Sequence, residues 1–249
     1  MSSVVLLFSG QGAQEVGMGK ALAEASPTAA SVLEEADEIL GWSLSSVMFD
    51  GPEEALTLTS RCQPALYTQG QMLLAALREE APDLKIAASA GLSLGEFTAH
   101  AAAETFSFSD GLRLVARRGE LMEEACAAGD GAMAAMIGGD EENVKQLATD
   151  SGVDVANFNA PGQIVLSGSR EGIGKAIENA KASGVRIAKE LKVAGAYHSR
   201  LMQSAADELG TALESCPMQT PAFPVISNVE ATGVSEPDQI RAALKAQVT

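Results

Sequence analysis

Positive charge is scarce in this sequence. Its 249 residues carry 17 Lys and Arg against 33 Asp and Glu, a formal net charge of −16. Nucleic acids and anionic membrane surfaces are polyanions that repel such a chain, so neither is expected as the main partner. Cysteine is also sparse: Cys62, Cys126 and Cys216 are odd in number and lack C-x-x-C spacing, which argues against a disulfide framework or a zinc site. No long apolar run is present. Val4–Phe8 is too short for a membrane span or a signal-peptide core and has no basic segment before it. A reducing cytoplasm, with neither transit peptide nor membrane contact, is the expected setting. Histidine occurs only twice, at His100 and His198, which narrows any search for a catalytic base.

Apolar content, by contrast, is ample: 46% hydrophobic residues in a chain of this length can bury a sizeable core. Short runs rich in Val, Ile and Ala alternate with longer segments of helical period, the signature of an α/β protein with a largely parallel sheet. Val4–Phe8 and Ile86–Ala90 read as strands. Pro27–Leu40, Pro64–Glu80, Gly95–Ala103 and Ser109–Ala127 read as helices. After the GDG turn at Gly129–Gly131 the order becomes strand (Ala132–Ile137), helix (Asp140–Asp150), strand (Val153–Phe158), turn (Asn159–Gly162), strand (Ile164–Ser167), helix (Arg170–Ser183) and strand (Val185–Glu190). That is βαββαβ, a ferredoxin-like unit spanning residues 129–194 and inserted in a core made of 1–128 and 195–249. The chain then returns to a helix near His198–Glu214, a strand at Phe223–Ser227 and a last helix over Glu236–Gln247. Two domains imply a cleft, a common place for a small-molecule site.

One serine stands out in AASAGLSLGEF, where Ser93 lies between Gly91 and Gly95. The spacing G-x-S-x-G suits a sharp strand-to-helix turn that exposes a nucleophile; a plain small-residue turn is the alternative. A serine hydroxyl needs a base, normally histidine. His100 follows Ser93 by two helical turns, roughly 10 Å, and cannot reach its hydroxyl, so His198 is the candidate. Attack on a carbonyl also needs donors for the developing oxyanion. Leu94 supplies the amide after the nucleophile. The Gly10-Gln11-Gly12 loop, which follows the first strand on the same sheet edge, is a candidate for the second; a plain glycine turn is the alternative. Arg117 and Arg118 are adjacent on a helix, so one can face solvent while the other faces inward. An inward arginine is costly without an anion; it either clamps a carboxylate or forms a structural pair with Glu120 or Glu123.

These stretches together resemble the malonyl-CoA:acyl carrier protein transacylases, the acyltransferase family of fatty acid and polyketide synthesis. The resemblance rests on FSGQGAQ (8–14), QPAL (63–66), GLSLGE (91–96), RRGELM (117–122), GAMAAMIG (131–138), NAPGQIVLSG (159–168), AGAYHSRLM (194–202) and SNVEA (227–231), and covers essentially the whole chain. It implies a hydrolase-like α/β core with the inserted subdomain. It also implies that Ser93 accepts a malonyl group from malonyl-CoA in a ping-pong reaction, with His198 as base and then acid. The group then passes to the phosphopantetheine thiol of acyl carrier protein. By the same resemblance Arg118 holds the malonate carboxylate and Gln11 and Leu94 offer oxyanion amides. Gln63, Asn228 and Gln247 line the pocket or orient the histidine, the last through its main-chain carbonyl. No cofactor or metal is implied; malonyl-CoA enters as substrate. Leu92 stands where many relatives have histidine, and Tyr197 where malonyl-selective members have phenylalanine. The family's pattern continues beyond Thr249, so a shortened end is expected. Two rival readings share the same residues: a serine hydrolase that releases the acyl group to water, and a non-catalytic acyl- or partner-binding module. Between Lys181 and Arg200, five cations (Lys181, Arg186, Lys189, Lys192, Arg200) face Glu190 alone, a local +4 suited to an acidic carrier.

Overall fold

Alternating apolar residues at Ser3–Phe8 form strand β1, whose even-numbered side chains pack inward while Val5 and Leu7 are exposed. The structure, a computed structural model, describes residues 3–249. Helices α1 (Lys20–Ala25), α2 (Pro27–Leu40), α3 (Leu44–Asp50), α4 (Glu53–Thr57) and α5 (Thr59–Glu80) follow. α2 is delimited by local chemistry. The Ser26 hydroxyl accepts from Ala29 N–H, Pro27 opens the first turn, and Gly41 closes the helix at φ 71°. Then come β2 (Lys85–Gly91), α6 (Leu94–Ala102), α7 (Phe108–Ala127), β3 (Gly131–Ile137), α8 (Glu141–Ser151), β4 (Asp154–Ala160) and β5 (Gln163–Ser169). The chain ends through α9 (Arg170–Asn179), β6 (Ile187–Glu190), a 3-10 turn (Arg200–Met202), α10 (Gln203–Ser215), β7 (Val225–Ile226), β8 (Gly233–Val234) and α11 (Pro237–Ala246).

Two compact units result. The first comprises Met1–Glu120 with Leu209–Gln247, the second Leu121–Glu208 with Val248–Thr249. In the first, the sheet order is β1-β2-β7-β8, with β1, β2 and β7 parallel and β8 antiparallel. Helix α6 is almost wholly buried, and Ala99 and Ala103 at its end pack with Val225 of β7 and with Phe8 and Phe223. In the second unit the sheet is antiparallel throughout, ordered β4-β5-β3-β6. Helices α8 and α9 lie on one face of it. They enclose a core in which Ala132, Ala134 and Met136 of β3 and Leu166 of β5 meet Val144, Leu147 and Ile173. Among the described residues no helix is long and apolar enough to cross a membrane.

The largely parallel sheet expected for the core is thus three parallel strands plus one antiparallel, and the second sheet has no parallel pair. Other boundaries differ for identifiable reasons. α5 begins at Thr59, so Pro64 lies inside it; Arg61 and Cys62 N–H bond to Leu58 O and build the first turn before the proline removes a donor. β4 runs on to Ala160, leaving only Pro161 and Gly162 for the hairpin turn, with Gly162 at φ 74°. α9 stops at Asn179 because the chain tightens into turns that end at Gly184, φ 81°. The helix expected near His198 begins only at Arg200 as a 3-10 turn and at Gln203 as α10.

His100 is fully buried in α6. Its Nδ1 lies 3.0 Å from Thr105 Oγ1, and burial pushes its pKa down from 6.5 to about 3. The folded chain therefore keeps this ring neutral where the unfolded chain protonates it, so stability is lost as pH falls from 6.5 toward 3. His100→Gln, which keeps hydrogen-bonding capacity but takes up no proton, should move the acid-unfolding midpoint to lower pH in a circular-dichroism titration. An unmoved midpoint would mean that this ring is no part of the acid sensitivity.

Candidate active site

Parallel pairing of β1 with β2 puts Phe8 opposite Gly91, so the two strands end together. The loop after β1 and the turn after β2 therefore meet at one sheet edge. Glycine makes the meeting possible. A Cβ on Gly91 would stand 2.0 Å from the Gly95 carbonyl carbon, one on Gly95 2.4 Å from Phe8 O, and one on Gly10 2.6 Å from Leu92 O. Between the two elbow glycines Ser93 adopts φ 53°, ψ −108°, a conformation that L-residues rarely hold. This is the sharp strand-to-helix turn that the G-x-S-x-G spacing predicted. The strain is contained by Asn228. Its Oδ1 accepts from Ser93 N–H at 2.7 Å and its side-chain amide donates to Gly91 O at 2.7 Å, so one side chain spans the turn.

Arg118 brings the remaining groups together. It is 1% exposed. Its Nη1 donates to Gln63 Oε1 at 2.7 Å, and its Nη2 donates to Ser93 Oγ and to Gln247 Oε1, each at 2.9 Å. The Phe97 ring lies 5.5 Å from the guanidinium carbon. Gly119 lets α7 approach the start of α5 closely, since a Cβ there would sit 2.7 Å from Thr59 O. That approach sets Arg118 against Gln63. Arg117, one position earlier, faces the half-exposed side and lies 3.5 Å from Glu120. The two arginines divide as the 100° step of a helix requires.

The Gln247 side-chain amide points the other way, donating to Ser93 O at 3.1 Å and to Glu96 Oε2 at 2.7 Å. Glu96, fully buried on α6, also accepts from Asn228 N–H at 3.2 Å. Burial pushes its pKa from 4.5 up to about 7 against the opposing pull of Asn228, Gln247 and Arg118. Sequence reasoning quoted this glutamate within GLSLGE and gave it no role. A single acid in a helix with no other carboxylate was the available signal. Gln14 was missed as well: its Oε1 accepts from Gly12 N–H at 2.7 Å and from the Cys62 thiol at 3.1 Å, tying the Gly10–Gly12 loop to α5. Burial pushes that thiol up to about 12, so it is no nucleophile at neutral pH.

Leu94 is the first residue of α6, where backbone N–H groups have no partner within the helix. Gln11 lies in the exposed turn right after Gly10. His198 belongs to the second unit, where it is partly exposed at φ 53° just before Ser199. Ser199 caps the 3-10 turn through Leu201 N–H and donates to Ala196 O. The neighbouring Tyr197 is buried and its hydroxyl hydrogen-bonds Cys126. Among the described residues no group of three or more His, Cys, Asp or Glu is arranged to hold a metal ion.

The packing around the elbow yields a direct test. Gly95→Ala should destabilise the protein by about 1–3 kcal/mol or more, because its Cβ would meet two backbone carbonyls that cannot retreat. Gly174→Ala, in a helix with open space around it, should be neutral or stabilising by about 0.5–1 kcal/mol. Urea denaturation of the two variants measures both; similar values would show that the elbow is not tightly packed.

Comparison with known proteins assigns the chain to a family. The acyl transferase domain pattern matches residues 5–247. The malonyl CoA-acyl carrier protein transacylase of Bacillus subtilis is 45% identical over 255 residues, covering 100% of this chain and 79% of the relative. That of Haemophilus influenzae is 36% identical over 252 residues, covering 100% and 81%. Among solved structures, an acyl carrier protein S-malonyltransferase from Vibrio cholerae superposes with TM-score 0.95 at 36% identity, covering 99% of this chain and 82% of that one. A malonyl-transacylase in complex with a holo type II polyketide synthase acyl carrier protein gives 0.94 at 36% identity, covering 99% and 81%. With a domain pattern over nearly its whole length and relatives that align along all of it, the chain belongs to the malonyl CoA-acyl carrier protein transacylases of the acyl transferase family.

Proposed function

We propose that this protein transfers a malonyl group from malonyl-CoA to the phosphopantetheine thiol of an acyl carrier protein, through a malonyl ester on Ser93, in fatty acid biosynthesis. The observation that carries the reading is the buried Arg118 guanidinium 2.9 Å from Ser93 Oγ. A cation held beside a nucleophile by the neutral oxygens of Gln63 and Gln247 suits an acyl group that ends in a carboxylate, which the guanidinium fork can bind in two-pronged fashion. An esterase for neutral acyl groups has no use for it.

In this reading His198 removes the Ser93 hydroxyl proton as the oxygen attacks the thioester carbonyl. Backbone N–H groups of Gln11 and Leu94 receive the oxyanion, and coenzyme A leaves as its thiol with the proton from His198. The second half-reaction runs in reverse with the carrier thiol as nucleophile. His198 is favoured as the base because the other histidine, His100, is fully buried and held neutral. Gln63, Asn228 and Gln247 then line or orient the pocket. The reaction needs no cofactor, and a cytoplasmic setting suits it. The parallel strands ending in a strained serine support a hydrolase-like core. The antiparallel order β4-β5-β3-β6 with two helices on one face supports a ferredoxin-like subdomain over residues 129–194, set in a core of 1–128 and 195–249.

For the carrier, the basic stretch is smaller than its sequence suggests. Arg200 is held by Asp154 at 2.7 Å, and Glu190 is held by Arg170 at 2.8 Å. Lys181, Arg186, Lys189 and Lys192 remain exposed, and the part of this stretch around Lys189 and Lys192 is the cationic segment offered to an acidic carrier.

Incubation with malonyl-CoA and intact-mass measurement should give one malonyl adduct, absent in Ser93→Ala and long-lived until a thiol is added. An adduct on the alanine variant rejects Ser93 as nucleophile, and rapid loss to water identifies a hydrolase. Arg118→Ala should lower malonyl transfer far more than acetyl transfer. Loss of one partner of a buried charge pair costs about 2–5 kcal/mol, or about thirty- to several-thousand-fold. Equal losses would reassign Arg118 to structure. Reversing Lys189 and Lys192 to glutamate should raise the carrier KM in a salt-sensitive way and leave acylation by malonyl-CoA unchanged; equal effects on both half-reactions would remove the carrier from this face.

A further inference from the structure

Glu96 is the one buried carboxyl in the hydrogen-bonded cluster around Ser93, and the reaction as proposed makes no use of it. Its two oxygens differ. Oε2 accepts from Asn228 N–H and from the Gln247 side-chain amide, while Oε1 is buried with no hydrogen-bond partner. The Gln247 amide is shared: its nitrogen serves Glu96 and its oxygen serves Arg118. One acid and one base, both out of water, are thus coupled through a single amide group. A buried carboxylate of this kind satisfies the net charge around a buried guanidinium only while no second anion is present.

We propose that Glu96 is the resting counter-charge of Arg118, held at one remove by Gln247, and that it takes up a proton from solvent when an acyl carboxylate docks on Arg118. This rests on the reading of Arg118 as the carboxylate clamp. The step is a counter-ion exchange. The acyl carboxylate brings one negative charge, one proton bonds to the partnerless Oε1, and the cluster stays neutral. Oε2 keeps both of its donors, so protonation breaks no hydrogen bond. Ionised, the same carboxyl would leave two anions around one guanidinium in a dry site. Two carboxylates about 6 Å apart at an effective dielectric near 20 raise one another's pKa by about two.

The surroundings keep the exchange confined to this pair. On α7 the facing charge is Arg118. On α6 itself His100 lies one turn on and stays neutral. The segment after β7 presents the Ser227 hydroxyl and Asn228, both uncharged. At the end of α11 the contact is Gln247, while Arg241 on that helix bonds Leu213 O and Cys216 O and Lys245 packs on Gly210. In the free protein the Glu96 pKa of about 7 puts the titration where a bound anion can complete it. By linkage, a carboxylate-bearing acyl group is then favoured below that pKa and disfavoured above it. Glu96 acts as a positioning and charge-setting residue with a bearing on acyl selectivity.

The test counts protons. Stoichiometric protein at pH 7.5, weakly buffered with an indicator dye, is mixed with malonyl-CoA or acetyl-CoA while intact mass reports the adduct on Ser93. Malonylation should take up about 0.5–0.9 proton more per adduct than acetylation, from the titration of one carboxyl with a pKa near 7. In Glu96→Gln the two donors should give the same proton count. The ratio of kcat/KM for malonyl-CoA over acetyl-CoA, which cancels groups common to both such as His198, should fall about fivefold from pH 7 to pH 8 in the native protein. It should stay flat in Glu96→Gln. Adducts with equal proton counts in the native protein overturn this proposal and leave the transfer reaction standing. So does a Glu96→Gln variant that loses both activities equally at every pH, which would make Glu96 a strut. No adduct from either donor overturns the transfer reading itself, and the proposal with it.

Discussion

Taking the Arg118 guanidinium out of water costs far more than a neutral side chain would, and that cost must be met by acceptors aimed at its fork. Three oxygens do so, and they come from distant parts of the chain: Gln63 is 55 residues away, Ser93 25 and Gln247 129. The first sits on α5, the second at the strand-to-helix turn, the third at the C-cap of α11. Each segment has to be in place before the charge is tolerated. The geometry of the site is in this sense a solvation requirement. Three helices and a sheet edge converge because one cation without them would be left with unpaired donors.

The second constraint is steric, and it concerns backbone. Ser93 is held at a positive φ that its side chain disfavours. The conformation persists because Asn228 bonds to both sides of the turn and because Gly10, Gly91 and Gly95 allow carbonyls to lie where a Cβ would stand. His198 carries the same φ of 53°. Glu104 and Ala231 are also at positive φ, so strain of this kind is not confined to residues proposed for the reaction; what distinguishes Ser93 is the network around it. Glu96 joins the two constraints, since it bonds to Asn228 on the elbow side and to Gln247 on the arginine side.

Much of the secondary structure was legible. α2 was read over its exact range because a serine cap, a proline and a glycine bracket it, each acting within one or two residues of its own position. α7 and β3 were legible from periodicity and from the GDG turn between them. The short helices α1, α3 and α4 were not read. Each is seven residues or fewer, and a helix of that length draws its stability from packing that no local window contains. The early start of α5 was hidden by Pro64, whose lost hydrogen bond is offset by burial of Thr59, Cys62 and Gln63.

By itself the sequence determined the chemistry available. It held one serine in an elbow spacing, two histidines, an arginine pair on one helix, and glycines wherever the backbone must pass closely; these depend on residue type and short-range spacing alone. Tertiary structure decided which of those groups are charged, buried and mutually bonded. It chose Arg118 over Arg117 by placing α7 against α5, and made His100 a neutral core residue by enclosing it. It also turned Glu96 from an unremarked letter of a motif into a carboxyl whose proton is held near pH 7. Desolvation and hydrogen bonding between residues more than a hundred positions apart have no counterpart in local sequence, because both arise only where the folded chain excludes water.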